Sequence, residues 1–406
     1  MRTKVKLKGG ISLIVLVITI IVMIILAAAI ILSLSNSGII GKANKAKTDT
    51  DISNAQDLVA MAHADWMLDE AKIKENDNTI TSFSNYAEKK LQEAGYKVGT
   101  GEGAYTVTED GEVYTGLTET ARTAIRAGIK VGDVVTGYTV TANTYETSGE
   151  ENTAPSRTET DPTKQTVTTN TDITWKYLGV NANGEMEIMA SLSTTTAAAA
   201  NTKVKLSGKG GYLTGPEMLN TICEKLYSKE GVGTARSMNI DDVNNILGYT
   251  GEKGAYYSGS NGSYTPTKEA MKIGDIVSQK GETALRNTAT PDGRDINTYY
   301  SDYYEINKTS DVKEMKNPGN RDLVYNAKNI YWLASPCVNA NFDGGDAYFY
   351  VRYVSSPDVG AYGMSFSNGF SSYGACAVRP VVSLKSNIQL KQNTEKTAWE
   401  IKQAQN

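Results

Sequence analysis

The sequence has one histidine, His63, in 406 residues. A single imidazole cannot build a zinc cluster, and any nucleophilic triad would have to run through His63 itself. Cysteine is scarce too. Cys223, Cys337 and Cys376 lack metal-ligand spacing, and their odd number leaves at least one thiol unpaired. A disulfide framework supports small secreted domains and does not suit so long a chain. Nor is there an excess of charge of one sign. With 41 Lys and Arg against 45 Asp and Glu, the formal net charge is −4. That gives no field for attracting nucleic acid, and no basic patch occurs outside the N-terminus. The most local absence lies between Cys337 and Cys376, where no Lys, Glu, Gln or Trp occurs. Average usage would place roughly six or seven such residues in that window.

The length allows two or three domains. Tyrosine is abundant at 24, much of it in loop-like sequence, and adaptable binding surfaces use such residues. Residues 1–10 form a basic leader with Arg2, Lys4, Lys6 and Lys8. The run Ile11–Leu34 carries no charge and exceeds the ~20 residues that a spanning helix needs. Basic residues before the span keep the leader in the cytoplasm and send the remainder outside. The localisation expected is the cell membrane, single-pass, with the C-terminal domain extracellular.

Further along, Thr50–Lys74 reads as a helix with an apolar stripe of Ile52, Leu58, Val59, Met61, Ala62, Trp66, Met67 and Ile73. His63 lies one position from that stripe and reads as a partly packed helical residue. A short helix fits Ser84–Ala94, a hairpin with a two-residue Asp110–Gly111 turn fits Tyr105–Tyr114, and another helix fits Thr118–Ala127. Residues 35–127 thus read as a stalk helix and a small α+β region. Residues 146–172 are Thr-rich and polar and read as an insertion or linker. Ile173–Ser191 reads as a hairpin around Asn181–Gly184. Pro216 opens a helix to about Lys229, and Asn239 caps one that Gly248 ends. Residues 249–329 read as irregular loops held by tyrosines, and residues 391–406 as a tail.

Few motifs carry chemistry. Asp292–Asn297 and Asp343–Asp346 lack EF-hand spacing and read as surface turns. The glycine-rich stretches 99–103 and 208–211 match neither phosphate-binding pattern and read as turns. No nucleophile–base pair is present, so no catalytic residue, metal or cofactor is expected. YWLASP and AVRPVVSL read as core strands that share one sheet with Trp175–Val180.

Two resemblances follow from these residues. The leader and apolar run resemble the class III signal of type IV pilins and pseudopilins, which implies cleavage between Gly10 and Ile11. Val15 stands where those proteins carry the glutamate used in filament assembly. The elements KVGDVV, ITWKYLGV, ARSMNIDDVNNI, YWLASP and AVRPVVSLKSNIQL resemble those of cell-surface and prophage-borne proteins. Such proteins end in a C-type-lectin-like domain related to the formylglycine-generating-enzyme fold. Many are targets of diversity-generating retroelements.

The resemblance implies an α+β fold. A pilin-like helix and small head would precede a C-type-lectin-like domain over residues 128–390, with a variable region at 331–384. It also accounts for the narrow alphabet. Retroelement copying substitutes adenines, and Asn codons so altered cannot yield Lys, Glu, Gln, Met or Trp, because their third base is a pyrimidine. Met364 is then a constant position.

The resemblance further implies a variable, exposed binding face. Its aromatic anchors would be Tyr348, Tyr350, Tyr353, Tyr362, Phe366, Phe370 and Tyr373. Its hydrogen-bonding groups would be Asn339, Asn341, Asp343, Asp346, Asp358 and Asn368, with Gly344 and Ser355 on the same face. Trp332 and Arg379 would serve the scaffold. The function implied is surface-displayed, adhesin-like ligand binding. The partners are a protein or glycoconjugate ligand, the membrane through Ile11–Leu34, and pilus or pseudopilus subunits. A structural pilin subunit is the alternative. A formylglycine-generating-type enzyme fits less well, since Cys337 and Cys376 flank the window instead of pairing around a copper ion.

Overall fold

The computed structural model describes residues 39–148, 164–192, 203–258, 263–267, 269–279, 290–325, 330–340, 347–366 and 373–403. The chain is a mixed α+β protein and divides into two compact units, Met1–Val98 with Tyr105–Thr115, and Gly99–Ala104 with Gly116–Asn406. The boundary falls after Thr115, so the Thr118–Ala127 helix belongs to the larger unit and not to the small head. The apolar run Ile11–Leu34, with Gly10, Ile11 and Val15, lies outside the described residues. Among the described residues, no helix is long and apolar enough to cross a membrane.

The smaller unit contains α1 (Ile39–Asn76), α2 (Phe83–Glu93), β1 (Tyr105–Val107) and β2 (Val113–Thr115). Ala55, Val59, Ala62 and Trp66 recur at spacings of four, three and four. They are buried with Phe83, Tyr86, Leu91 and Val107. Met61 and Met67, expected in that stripe, are 66% and 74% exposed. At about 100° per residue they turn away from the Val59–Trp66 line. Helix α1 is interrupted at Asp69, whose φ of −153° and ψ of 53° are not helical. His63 is exposed and meets the Phe83 ring edge-on at 4.8 Å. Ser82 caps α2 by accepting from Asn85 N. The hairpin closes between Thr108 and Glu112, so its loop is Glu109–Gly111 and not a two-residue turn. Gly111 takes a φ of +83° there.

The larger unit opens with α3 (Glu119–Arg126), capped by Thr118. Then come β3 (Val134–Thr136), β4 (Thr144–Ser148), β5 (Lys164–Thr168), β6 (Ile173–Val180), β7 (Met186–Leu192) and β8 (Lys203–Ser207). Helices α4 (Gly208–Leu213) and α5 (Gly215–Tyr227), strand β9 (Gly233–Ser237) and α6 (Ile240–Leu247) follow. The glycine-rich 208–211 stretch is therefore helical and not a turn. Asn239 and Asp242 form a reciprocal capping box on α6, and Gly248 ends it in the left-handed region at φ 57°. The expected loop region also holds regular pieces: β10 (Gly254–Ser258), β11 (Ser263–Thr267), β12 (Met271–Lys272), α7 (Ile273–Gln279), β13 (Tyr300–Ser301), β14 (Ile306–Asn307) and α8 (Arg321–Val324). Ile273, Ile276, Ile296 and Tyr299 form a local core with Val338 and Phe349.

The chain ends in β15 (Tyr331–Ala340), β16 (Ala347–Ser355), β17 (Asp358–Phe366), β18 (Tyr373–Ala377), β19 (Pro380–Leu384), β20 (Ile388–Gln392) and β21 (Trp399–Gln403). Two sheets carry the unit, one of order β14-β17-β16-β15-β18-β8, the other β20-β21-β3-β6-β7-β19-β9. The YWLASP strand and the RPVVSL strand therefore lie in different sheets, contrary to the expectation of one sheet shared with Trp175–Val180. Their side chains do share a core. Leu178, Met189 and Val381 pack with Tyr331, Leu333, Val354 and Val359, closed by Val243, Ile246 and Leu247 of α6. The chain changes sheet between Ala377 and Pro380.

Residues 391–403 do not form a free tail. β21 pairs with β20 and runs parallel to β3, and Trp399 is buried. Within the expected insertion or linker, residues 146–148 and 164–168 are strand, since β4 and β5 pair as a ribbon.

Candidate functional site

Strands β15, β16 and β17 position most of the described candidate residues. β15 pairs with β16 and β16 with β17, both antiparallel, and the β16–β17 turn is Ser356–Pro357. Alternation along a strand sends successive side chains to opposite faces. Ala347, Phe349, Val351, Val354, Val359 and Met364 are buried. Tyr348, Tyr350, Tyr353, Ser355 and Asp358 are half-buried, and Tyr362 is 40% exposed.

Two aromatic groups result. In the first, the Tyr353 and Tyr362 rings lie 5.7 Å apart, and the Trp332 ring lies 6.4 Å and 6.2 Å from them. Trp332 has no exposed surface, and its Nε1 donates to the Val204 carbonyl at 2.7 Å. Gly374 lies so close that a Cβ there would sit 2.9 Å from the indole. The indole is therefore the floor under the two tyrosines. In the second group, the Tyr348 and Tyr350 rings lie 5.9 Å apart, and Tyr303 lies 5.4 Å from Tyr350. Burial pushes the Tyr303 and Tyr353 hydroxyls above the ordinary phenol range, and Glu305 adds to this at both.

The segment 301–305 is fastened to these strands. Arg352 is 2% exposed and donates to the carbonyls of Asp302 at 2.5 Å and Tyr304 at 2.8 Å. Its guanidinium also lies over the Tyr304 ring at 4.2 Å. Asp302 accepts from Val338 N at 2.6 Å, and burial raises its carboxyl above the usual carboxylate range. This segment lies outside residues 331–384, and sequence reasoning did not place it at the site. The tyrosine density of 299–304 was the only signal.

Several expected site residues fall elsewhere. Asn339 is 1% exposed, and its side-chain oxygen faces Ser301 Oγ at 3.2 Å. It belongs to the core and is withdrawn from the face, because its position on β15 points it under β13. The tyrosines of β16 are half-buried rather than mostly exposed, because the rings lean on each other, on Trp332 and on Tyr303. Asp358 accepts a hydrogen bond from the Asn307 amide. Arg379 is 3% exposed and donates to the Ala190 carbonyl and the Tyr331 hydroxyl, each at 2.9 Å. Asn341, Asp343, Gly344, Asp346, Asn368 and Phe370 lie outside the described residues, as do the side chains of Phe366 and Tyr373. Among the described residues, no group of three potential metal ligands occurs.

The three thiols are all buried. Burial pushes those of Cys337 and Cys376 up to about 12 and that of Cys223 higher still. The thiolate is the reactive form. An Ellman reagent at pH 8 is expected to leave all three untouched in the folded chain and to titrate all three in guanidinium. Rapid labelling of Cys376 before unfolding would place it at the surface. No family model, curated protein or solved structure matches the chain.

Proposed function

We propose that the larger unit is a ligand-binding module, displayed at the cell surface, whose contact face on β16 and β17 is diversified at the side chains that reach solvent. One observation carries the reading. Within the narrow-alphabet window, Tyr348, Tyr350, Tyr353, Ser355, Asp358 and Tyr362 reach the surface, while Phe349, Val351, Arg352 and Val354 are held beneath. Met364, the residue that substituted Asn codons cannot produce, is fully buried. Aromatic and small polar groups on a fixed scaffold supply adaptable contacts, as in antibody loops. In this reading the apolar N-terminal run anchors the chain and the module faces outward, in the manner of a retroelement-diversified lectin-like protein. No cofactor takes part.

The test is tolerance with gain of binding. The chain is displayed with positions 348, 350, 353 and 362 randomised and selected against lysozyme. Most library members are expected to fold cooperatively, with thermal midpoints lowered most where replacements at 353 and 362 uncover the Trp332 indole, since the Phe349, Val351 and Val354 core beneath is unchanged. Independent binders are expected to emerge. A library that is largely unfolded would make these tyrosines core residues and overturn the reading.

A further inference from the structure

Two features outside the tyrosine face stand out. The exposed Met61, Met67 and Leu68 on α1 end at the break at Asp69, and nothing in the structure says what covers them. The Glu187–Arg236–Asp242 cluster is satisfied internally, with Ser383 donating to Glu187. The segment beside the tyrosine face carries more.

We propose that Tyr303 and Glu305 form a constant half of the binding face, shared by every variant of the window. This rests on the reading of the face as a ligand-binding surface. Three observations point to it. First, the segment is clamped from below. Arg352 holds two of its carbonyls, Asp302 is bonded to the β15 backbone through Val338, and Asp302 N donates to the Val338 carbonyl at 3.1 Å. Second, successive tyrosines divide their roles. Tyr304 turns inward, where its ring lies parallel to that of Tyr249 at 6.1 Å and its hydroxyl accepts from Asn244 at 2.9 Å. Tyr303 turns to the window, its ring 5.4 Å from that of Tyr350. Third, the Tyr303 hydroxyl donates to Glu305, and Glu305 is exposed.

The chemistry of that pair sets what it accepts. The phenol proton is committed to Glu305, so what this pair offers a partner is the exposed Glu305 carboxylate beside the Tyr303 ring. The complementary group is a hydrogen-bond donor, best a Lys or Arg side chain on a protein surface. Tyrosine anchors of this kind dominate many interfaces. A face with a constant anchor and variable neighbours would retain some affinity for basic protein surfaces while its finer choice changes.

The lysozyme binders from the display experiment give the test, since lysozyme is a basic protein. Tyr303→Ala is introduced into several independent binders, beside an Ala substitution or reversion at a selected window position. Tyr303→Ala is expected to weaken all of them about tenfold or more, with thermal midpoints within about 2 °C of their parents. Glu305→Lys, at an exposed position, is expected to weaken the same set, and it stands in if Tyr303→Ala lowers stability. Binders that lose affinity on window substitutions yet keep it in both Tyr303→Ala and Glu305→Lys would overturn the constant half and leave the binding reading intact. Binders indifferent to the window substitutions as well would overturn both.

Discussion

Replacing Trp332 with Ala is expected to lower the stability of the larger unit by about 3–5 kcal/mol. The indole has no exposed surface and donates to the Val204 carbonyl of β8 at 2.7 Å. β8 is the edge partner of β18, so this bond ties β15 to a strand two places away in the sheet. Truncation opens a cavity that Gly374 cannot fill and leaves a buried carbonyl without its donor. Trp332→Phe separates the two terms. It retains most of the ring volume but loses the N–H, and it should cost roughly 1–3 kcal/mol. Urea unfolding monitored by tyrosine and tryptophan emission measures both. A loss under 1 kcal/mol for Trp332→Ala would mean that the indole is not the floor of the tyrosine pair.

Arg379→Met should cost about 2–4 kcal/mol, since bonds from a buried cation are each worth roughly 1.5–3 kcal/mol. The guanidinium reaches the Ala190 carbonyl in one sheet and the Tyr331 hydroxyl in the other, and lies 5.0 Å over the Tyr331 ring. It therefore joins the two sheets at the point where the chain passes between them. Arg379→Lys keeps the charge but lacks the planar fork that serves both acceptors, so it should lose nearly as much. If Lys restores wild-type stability, charge alone is enough and the geometric role is wrong.

How far these features were legible in the sequence depends on the range of the interaction that makes them. Local signals read well. The Asn239 cap, Gly248 stop, Pro216 helix start and Asn181–Gly184 turn depend on contacts within a few residues. Sheet membership did not read well. The YWLASP and RPVVSL strands look alike in composition, yet two residues, Val378 and Arg379, carry the chain from one sheet into the other. Trp399–Gln403 looked like a tail because only Trp399 and Ile401 are apolar, and its ladder partners lie at residues 135–136 and 388–392.

The same limit applies at the site. The window's alphabet marked β16 and β17, but alternation alone could not show that Asn339 turns beneath Ser301. Nor could it bring Tyr303 to Tyr350, a contact that depends on Arg352 gripping a segment from outside the window.

Under the proposal, variation is confined to the surface positions of this window. Deep sequencing of the DNA for residues 331–384 in sibling lineages, together with a search for a nearby reverse transcriptase gene and template repeat, tests it most directly. Substitutions should fall at template adenines in the codons of Tyr348, Tyr350, Tyr353 and Tyr362. The codons of Trp332, Phe349, Val351, Arg352, Met364 and Arg379 should stay constant. Substitutions spread evenly over buried and exposed codons, or an invariant window with no template repeat, would contradict the account.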